Sequence, residues 1–470
     1  MHGTVGSQPS DVAQTYADFA CGLTFERLPA TVVEATKKLI LDQLGVMILG
    51  SSAAGVDTLV SAVGDWGGKP EASVLVHGVR VPAHHAALVN GTMARALDYD
   101  AVHEQAIVHV TAGSLPQCLA IADRQGNVSG KDLIAAMVAG MELMIRLGLA
   151  SETSFLNTGR VTTLHQATFG GALAAAKLLR LSPAQTVSAL GIAYGQVAGT
   201  LQMVVEGSVM VRVLQGFAAQ NAIVAATLAE KGLVSIERVF QGEFGYFRAY
   251  HDNKYDAEKL TRGLGVDYVT PTTSVKYYPC CFLAHFAIEA MRRLAKENAL
   301  TANDVERIHL RMTKGSYNAV CAPIEGKRNT TTTQEALFSA PYLVATALVH
   351  GPVTVSHMMP AAIADPVVRS VADKITAEID DELERQYGRI IGPSIVNVAL
   401  TDGRKLSCRV DSIKGHPSNP MTMDDCEEKF WTCVPYAARA LERAKLEALV
   451  AKVRRLETLA DAAELTRLLT

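Results

Sequence analysis

The sequence predicts a mainly α-helical protein: a helical-bundle domain formed by both chain ends, with a smaller α+β lid domain inserted between them. Three observations carry this expectation. Apolar residues of the first half recur at helical spacing in segments rich in Ala and Gly. Strand-like alternation appears only after about Thr272. The last fifty residues return to a helical pattern. The expected boundaries are residues 1–272 with 417–470 for the bundle, and 273–416 for the inserted domain.

The elements follow in order. Pro29 precedes the run "TVVEATKKLILDQLGVMILG", which Gly50 ends. "SGKDLIAAMVAGMELMIRLGLA" opens at a capping Ser129, with Asp132 three residues on to favour the helix N-terminus. "LSPAQTVSALGIAYGQ" has Ser182 as N-cap, Pro183 at the first helical position and Gln185 at the third. "GFAAQNAIVAATLAEKG" closes at Gly232. Small residues let helix axes approach closely, so these segments predict a tight bundle. "ERIHLRM" alternates as a half-buried strand does, and "SIVNVALTDGRKLSCRVD" reads as two strands joined at Asp402-Gly403. One helix, "QEALFSAPYLVATALVHG", is expected between them.

Bulk composition excludes several classes. With 470 residues, 49% hydrophobic and 19% charged, the chain can bury a large core and leaves little room for disorder. A net charge of −3 and the absence of a Lys/Arg-rich run argue against nucleic acid as a partner. Residues 181–205 carry no charge, but Pro183, several glycines and polar residues interrupt them, which fits a buried helix better than a membrane span. Eight scattered cysteines without a CxxC, and an N-terminus lacking basic and apolar signal regions, give the expectation of a reduced, cytoplasmic protein. There is no GxGxxG in strand–helix context, no Walker loop and no GxSxG elbow, so no cofactor is expected.

The stretch "ALDYDAVHEQAIVHVTAG" gathers Asp98, Asp100, His103, Glu104 and His109 within twelve residues. Metal ligands on a helix sit three or four apart, whereas these histidines are six apart, and H-E-x-x-H would need its second His where Ile107 stands. No metal is expected; an acid–base site and a polar loop with capping aspartates stay open. "SVKYYPCCFLAHF" places Lys276 alone among apolar and aromatic residues, followed by His285. Such a lysine can act as a base, hold a carboxylate, or only snorkel. His165 precedes a glycine pair and a small-residue helix, where a core or capping role competes with a catalytic one. Arg212 can clamp a carboxylate or pair structurally with Glu206, and Tyr342 can face core or cleft.

Together, "LDQLGVMILGS", "AALVNGTMARALDYD", "QGFAAQN", "KYYPCCFLAH", "FSAPYLVATALVHG" and "GHPSNPMTMDDCEEKF" give a chain that resembles the MmgE/PrpD family over nearly its whole length. The resemblance implies a homodimer, a cleft between the two domains, and metal-independent acid–base chemistry on a small-molecule carboxylate. It implies catalytic roles for Asp98, His103, His109, Lys276 and Tyr342. Three family positions depart: the usual Thr, His and Lys fall on Val102, Val161 and Val211. Each change removes a hydrogen-bonding group, so the substrate is expected to have fewer carboxylates than a tricarboxylate or to carry an apolar part. Arg212, His165, Glu206 and His285 join the three valines as expected substrate-binding positions. The implied reaction is that of a lyase, a dehydratase or decarboxylase. The alternatives are an isomerase using the same acid–base pair, and a binding protein without catalysis.

Overall fold

The computed structural model describes residues 11–153, 158–388 and 390–470. Helices dominate it, with one four-stranded sheet and a small hairpin, Ala72–Val74 with Val79–Val81. The first-half helices form where the sequence places their caps. Ser129 accepts the Asp132 N–H at the start of Gly130–Ala150. Ser182 and Gln185 form a reciprocal capping box at the start of Pro183–Tyr194. Residues Met210–Glu230 pack on Ala83–Ala94 and on Thr162–Leu178, which also packs on Gly130–Ala150. Glycine makes these crossings possible: a Cβ on Gly216 would stand 2.2 Å from the Leu88 carbonyl oxygen, and one on Gly140 2.6 Å from that of Gly170. Gly130–Ala150 has the length and hydropathy to cross a membrane, but 89% of its apolar window is buried inside the protein. It is the central helix of a core.

The sheet runs Ile375–Ile379, Val305–Met312, Ser394–Leu400, Lys405–Val410. The hairpin at Asp402-Gly403 forms as its turn chemistry requires, with Gly403 at φ +88°. The strand Ile375–Ile379, parallel to Val305–Met312, was not legible in the sequence. The single helix expected from "QEALFSAPYLVATALVHG" is two, Thr333–Leu337 and Ala340–His350. Ser339 caps the second by accepting the Tyr342 N–H, and Pro341, with no N–H, sits in its first turn.

Apolar side chains sort into two clusters. One draws on residues 12–275 and 421–469. The other contains the sheet and runs from Tyr278 to Ile413, joined by Val46, Leu49, Ala96, Leu97, Tyr99, Val102 and Cys433. Residues 96–102 therefore lie where the two cores meet, with Ala101 packed into the first and its neighbours into the second.

Candidate active site

The site grows from a strained turn. Helix Ala83–Ala94 ends at Arg95, and the turn Ala96–Asp98 follows. Leu97 and Asp98 adopt φ of +58° and +50°, a left-handed conformation that costs about 1–3 kcal/mol for a residue other than glycine. The turn reverses the chain so that Arg95, Asp98 and Asp100 converge. Val102 then pairs with Ser274 through two backbone hydrogen bonds of 3.0 and 2.9 Å. That bridge brings in Lys276, two residues further on.

Lys276 is 1% exposed and donates to the Asp98 carbonyl at 2.6 Å and to its Oδ2 at 2.8 Å. Arg95 donates to Asp98 Oδ1, to Asp100 Oδ1 at 3.2 Å and to His109 Nε2 at 2.9 Å. His109 Nδ1 lies 2.9 Å from Asp100 Oδ2. A guanidinium only donates, so His109 Nε2 is the acceptor and Nδ1 carries the proton to Asp100. This fixes one tautomer, with the Nε2 lone pair turned toward Arg95.

The charges follow from these contacts. Burial alone would raise the Asp98 carboxyl, but Arg95 and Lys276 hold it far below the usual carboxylate range. Burial opposes the Asp100 charge too, and His109 and Arg95 reverse it. Burial and Arg95 keep the His109 imidazole below its ordinary value against the pull of Asp100. The ligand-type atoms of Asp98, Asp100 and His109 lie within 4.8 Å of one another, close enough for a metal site. They fit a cation poorly, because Arg95 and Lys276 already occupy the lone pairs that would face it.

Of the expected site residues, Asp98, His109 and Lys276 are brought together. Arg212 is 6% exposed and donates to the Ala54 carbonyl at 3.3 Å and to Gln334 Oε1 at 3.0 Å. Burial and the nearby Arg95 both act against its charge. The pairing with Glu206 does not form: Glu206 is exposed and accepts from Gln202 Nε2 at 2.6 Å. His285 is fully buried, and burial with the Lys276 charge pushes its imidazole down to about 3.

Three expected groups bond elsewhere. His103 Nδ1 accepts the Ala106 N–H at 3.2 Å, so its Nε2 donates to Thr272 Oγ1 at 2.9 Å. It braces the loop between the two opening histidines. His165 packs edge-on against Tyr250, ring centroids 4.6 Å apart, and against Tyr246. The Tyr342 hydroxyl donates to the His357 carbonyl. The three valines differ among themselves. Val102 is buried and bridges by its backbone, while Val161 and Val211 are half-buried, one just before helix Thr162–Leu178 and the other in the first turn of Met210–Glu230.

Sequence reasoning missed Arg95 as the hub of the cluster and did not place Asp100 among the catalytic groups. The signal was present, since Arg95 stands three residues before Asp98 in "ARALDYD", the spacing of an ion pair on a turn. Gln334, which holds Arg212, had no sequence signal.

Fold and site together define a mainly helical protein whose buried acid–base cluster is enclosed by cationic side chains. The sequence matches the MmgE/PrpD N-terminal domain over residues 14–258 and the MmgE/PrpD C-terminal domain over residues 278–455. The chain belongs to the MmgE/PrpD family. Among its relatives, the cis-aconitate decarboxylase-like protein oryM of Aspergillus oryzae is 30% identical over 94% of each chain. The cis-aconitate decarboxylase of Aspergillus terreus is 27% identical over 97% of this chain and 96% of its own. The human cis-aconitate decarboxylase is 28% identical over 97% of this chain and 94% of its own.

Proposed function

We propose that this protein is a lyase of the decarboxylase kind, acting without a metal on a small carboxylic acid. The observation that carries the substrate class is Arg212. It is a buried guanidinium whose hydrogen-bond acceptors, among the described residues, are the neutral Gln334 amide and Ala54 carbonyl, beside a second arginine. A buried cation facing only neutral partners favours an anionic ligand. With Arg95 and Lys276 it outnumbers the charges of Asp98 and Asp100. The three decarboxylase-named relatives, similar along nearly the whole chain, support the reaction class.

The chemistry follows from the bonds in place. A substrate carboxylate draws Arg95 from His109 and frees the Nε2 lone pair. Nε2 then takes up one proton from solvent, and the resulting imidazolium is steadied by Asp100 through Nδ1–H. A desolvated carboxylate leaves as carbon dioxide when its C–C bond breaks, and the electron pair stays on carbon. The Nε2 proton then completes that carbon's valence. The Lys276 ammonium, held by Asp98, stabilises the charge that develops. Residues 273–416 act as a lid over this chemistry, bringing Lys276 to the helical half. Val102, Val161 and Val211 favour a substrate with fewer carboxylates than a tricarboxylate, or one with an apolar part.

The test is incubation with a panel of mono-, di- and tricarboxylic acids, cis-aconitate included, reading carbon dioxide release and product mass. Release of carbon dioxide from a member of the panel is expected. A product of unchanged mass would replace the lyase by an isomerase. Neither turnover nor a ligand-induced rise in Tm across the panel would overturn both. Turnover of cis-aconitate at about 1 per second or faster would overturn the narrower claim about the valines.

A further inference from the structure

Two lysines from distant parts of the chain hold consecutive carbonyls of the strained turn. Lys276 donates to the carbonyl of Asp98 at 2.6 Å, and Lys429 to that of Tyr99 at 2.9 Å. Lys276 also meets the Asp98 carboxylate, so its place in the site is explained. Lys429 stands on helix Met423–Cys433, within the "GHPSNPMTMDDCEEKF" motif that the chemistry above does not use. It is 5% exposed. Its ammonium lies 2.6 Å from Asp42 Oδ1 and 3.7 Å from the centroid of the Tyr99 ring. Asp42 is 1% exposed on helix Ala30–Gly50, and burial raises its carboxyl against the pull of Lys429.

A buried ion pair is a poor way to gain stability, because desolvating both charges offsets most of their attraction. Apolar residues would fill this crossing of two helices at least as well. What the pair adds is direction. It fixes one carbonyl at the residue between Asp98 and Asp100, next to two residues with left-handed φ. A turn in that conformation persists only where its surroundings impose it.

We propose that Asp42 and Lys429 are positioning residues for this site. They pin the Tyr99 carbonyl and thereby keep the Asp98 carboxylate on Arg95 and Lys276, and the Asp100 carboxylate on His109. Lys429 is engaged by Asp42, the Tyr99 carbonyl and the Tyr99 ring, so it acts through the turn. The catalytic part of this inference rests on the acid–base reading above; its geometric part does not.

The experiment uses the full chain carrying Asp42→Asn with Lys429→Gln, which removes both charges together, and Lys429→Gln alone, which leaves Asp42 able to take up a proton and stay uncharged, as the second variant. Circular dichroism and Tm establish that each is folded. Histidine-selective nitrogen NMR, with the His109 signal assigned by its loss in His109→Gln, reads the tautomer at the Asp100 contact. Steady-state kinetics use whichever panel carboxylate the wild type turns over. In the double variant the Nδ1–H tautomer preference of His109 is lost and kcat falls about 10–100-fold, while KM stays within about 3-fold, the signature of misplaced rather than missing groups. In Lys429→Gln alone the same changes appear, and this variant decides if the double one does not fold. A folded variant that keeps either wild-type kcat or the wild-type His109 signature overturns the proposal. A wild type that turns over nothing overturns the functional reading, and the NMR comparison alone then decides this one.

Discussion

Two histidines, His109 half-buried and His165 buried, meet the start of the same helix, Thr162–Leu178, and differ in almost everything that matters for chemistry. His109 donates its backbone N–H to Thr163 Oγ1 at 3.1 Å. His165 is two residues further along that helix. The His109 ring is held between Asp100 and Arg95, its tautomer fixed at both nitrogens. The His165 ring lies in an aromatic box with Tyr246 and Tyr250, and its buried Nδ1 has no hydrogen-bond partner among the described residues. Burial lowers both imidazoles, that of His165 down to about 3. Residue type and a lowered imidazole are therefore shared, and what separates the two rings is their partners, ionic for His109 and aromatic for His165.

The largest expected effect tests that separation directly. His109→Gln and Asp100→Asn should each lower kcat/KM about 10²–10⁴-fold, the usual worth of a positioned acid–base group. His165→Phe, which keeps the ring contacts, should leave it within about 3-fold. A loss at His165→Phe as large as at His109→Gln would break the comparison.

The next effect concerns binding. Arg212→Met should weaken carboxylate affinity about 10–100-fold, the range for hydrogen bonds to a charged group. Loss of the ligand-induced rise in Tm measures it. Gln334→Ala, which removes only the residue holding Arg212, should act in the same direction and less.

A third prediction concerns acid stability. The unfolded chain takes up histidine protons near pH 6.5, whereas the folded chain holds His103 down to about 4 and His165 and His285 down to about 3. Below pH 6.5 the unfolded state binds more protons, so stability is lost as pH falls from there toward the folded values. A Tm series from pH 8 to pH 4 should show this decline. His165→Phe should flatten it, because one of those protons is then missing from the unfolded state. An unchanged slope would mean that His165 is not held neutral by its aromatic box.

The smallest effect belongs to Glu206. Exposed, and with a side chain that among the described residues bonds only Gln202, it should tolerate Glu206→Ala with kcat/KM within about twofold and stability within about 0.5 kcal/mol. A large loss of activity would return it to the site.

Much of the fold was legible in local patterns. Ser129, Ser182 and Gln185 start helices where their side chains reach the first free N–H groups, and Asp402-Gly403 turns the hairpin. The break at Ser339 was missed because the apolar pattern continues across it. The strand Ile375–Ile379 was missed because its parallel partner is about 70 residues away. In the site, Asp98, His109 and Lys276 were legible by residue type and by family motif. His103 was read as catalytic beside them, yet its ring turns to Thr272 and Ala106, a direction set by the loop's own backbone.

By itself, then, the sequence determined the helical class, the caps, the hairpin, the family and the neighbourhood of the acid–base groups. These depend on periodicity and on residues within a few positions of each other. Only the tertiary structure decided which charges meet. Asp98 and Lys276 are 178 residues apart, and Tyr99 and Lys429 are 330 apart. Arg95 and Asp100, which set the tautomer of His109, are near it in sequence, but the two lysines that meet Asp98 and hold the strained turn come from packing distant segments together. A linear pattern carries no record of such contacts, and a histidine becomes part of an ionic network or an aromatic filler according to what the fold sets beside it.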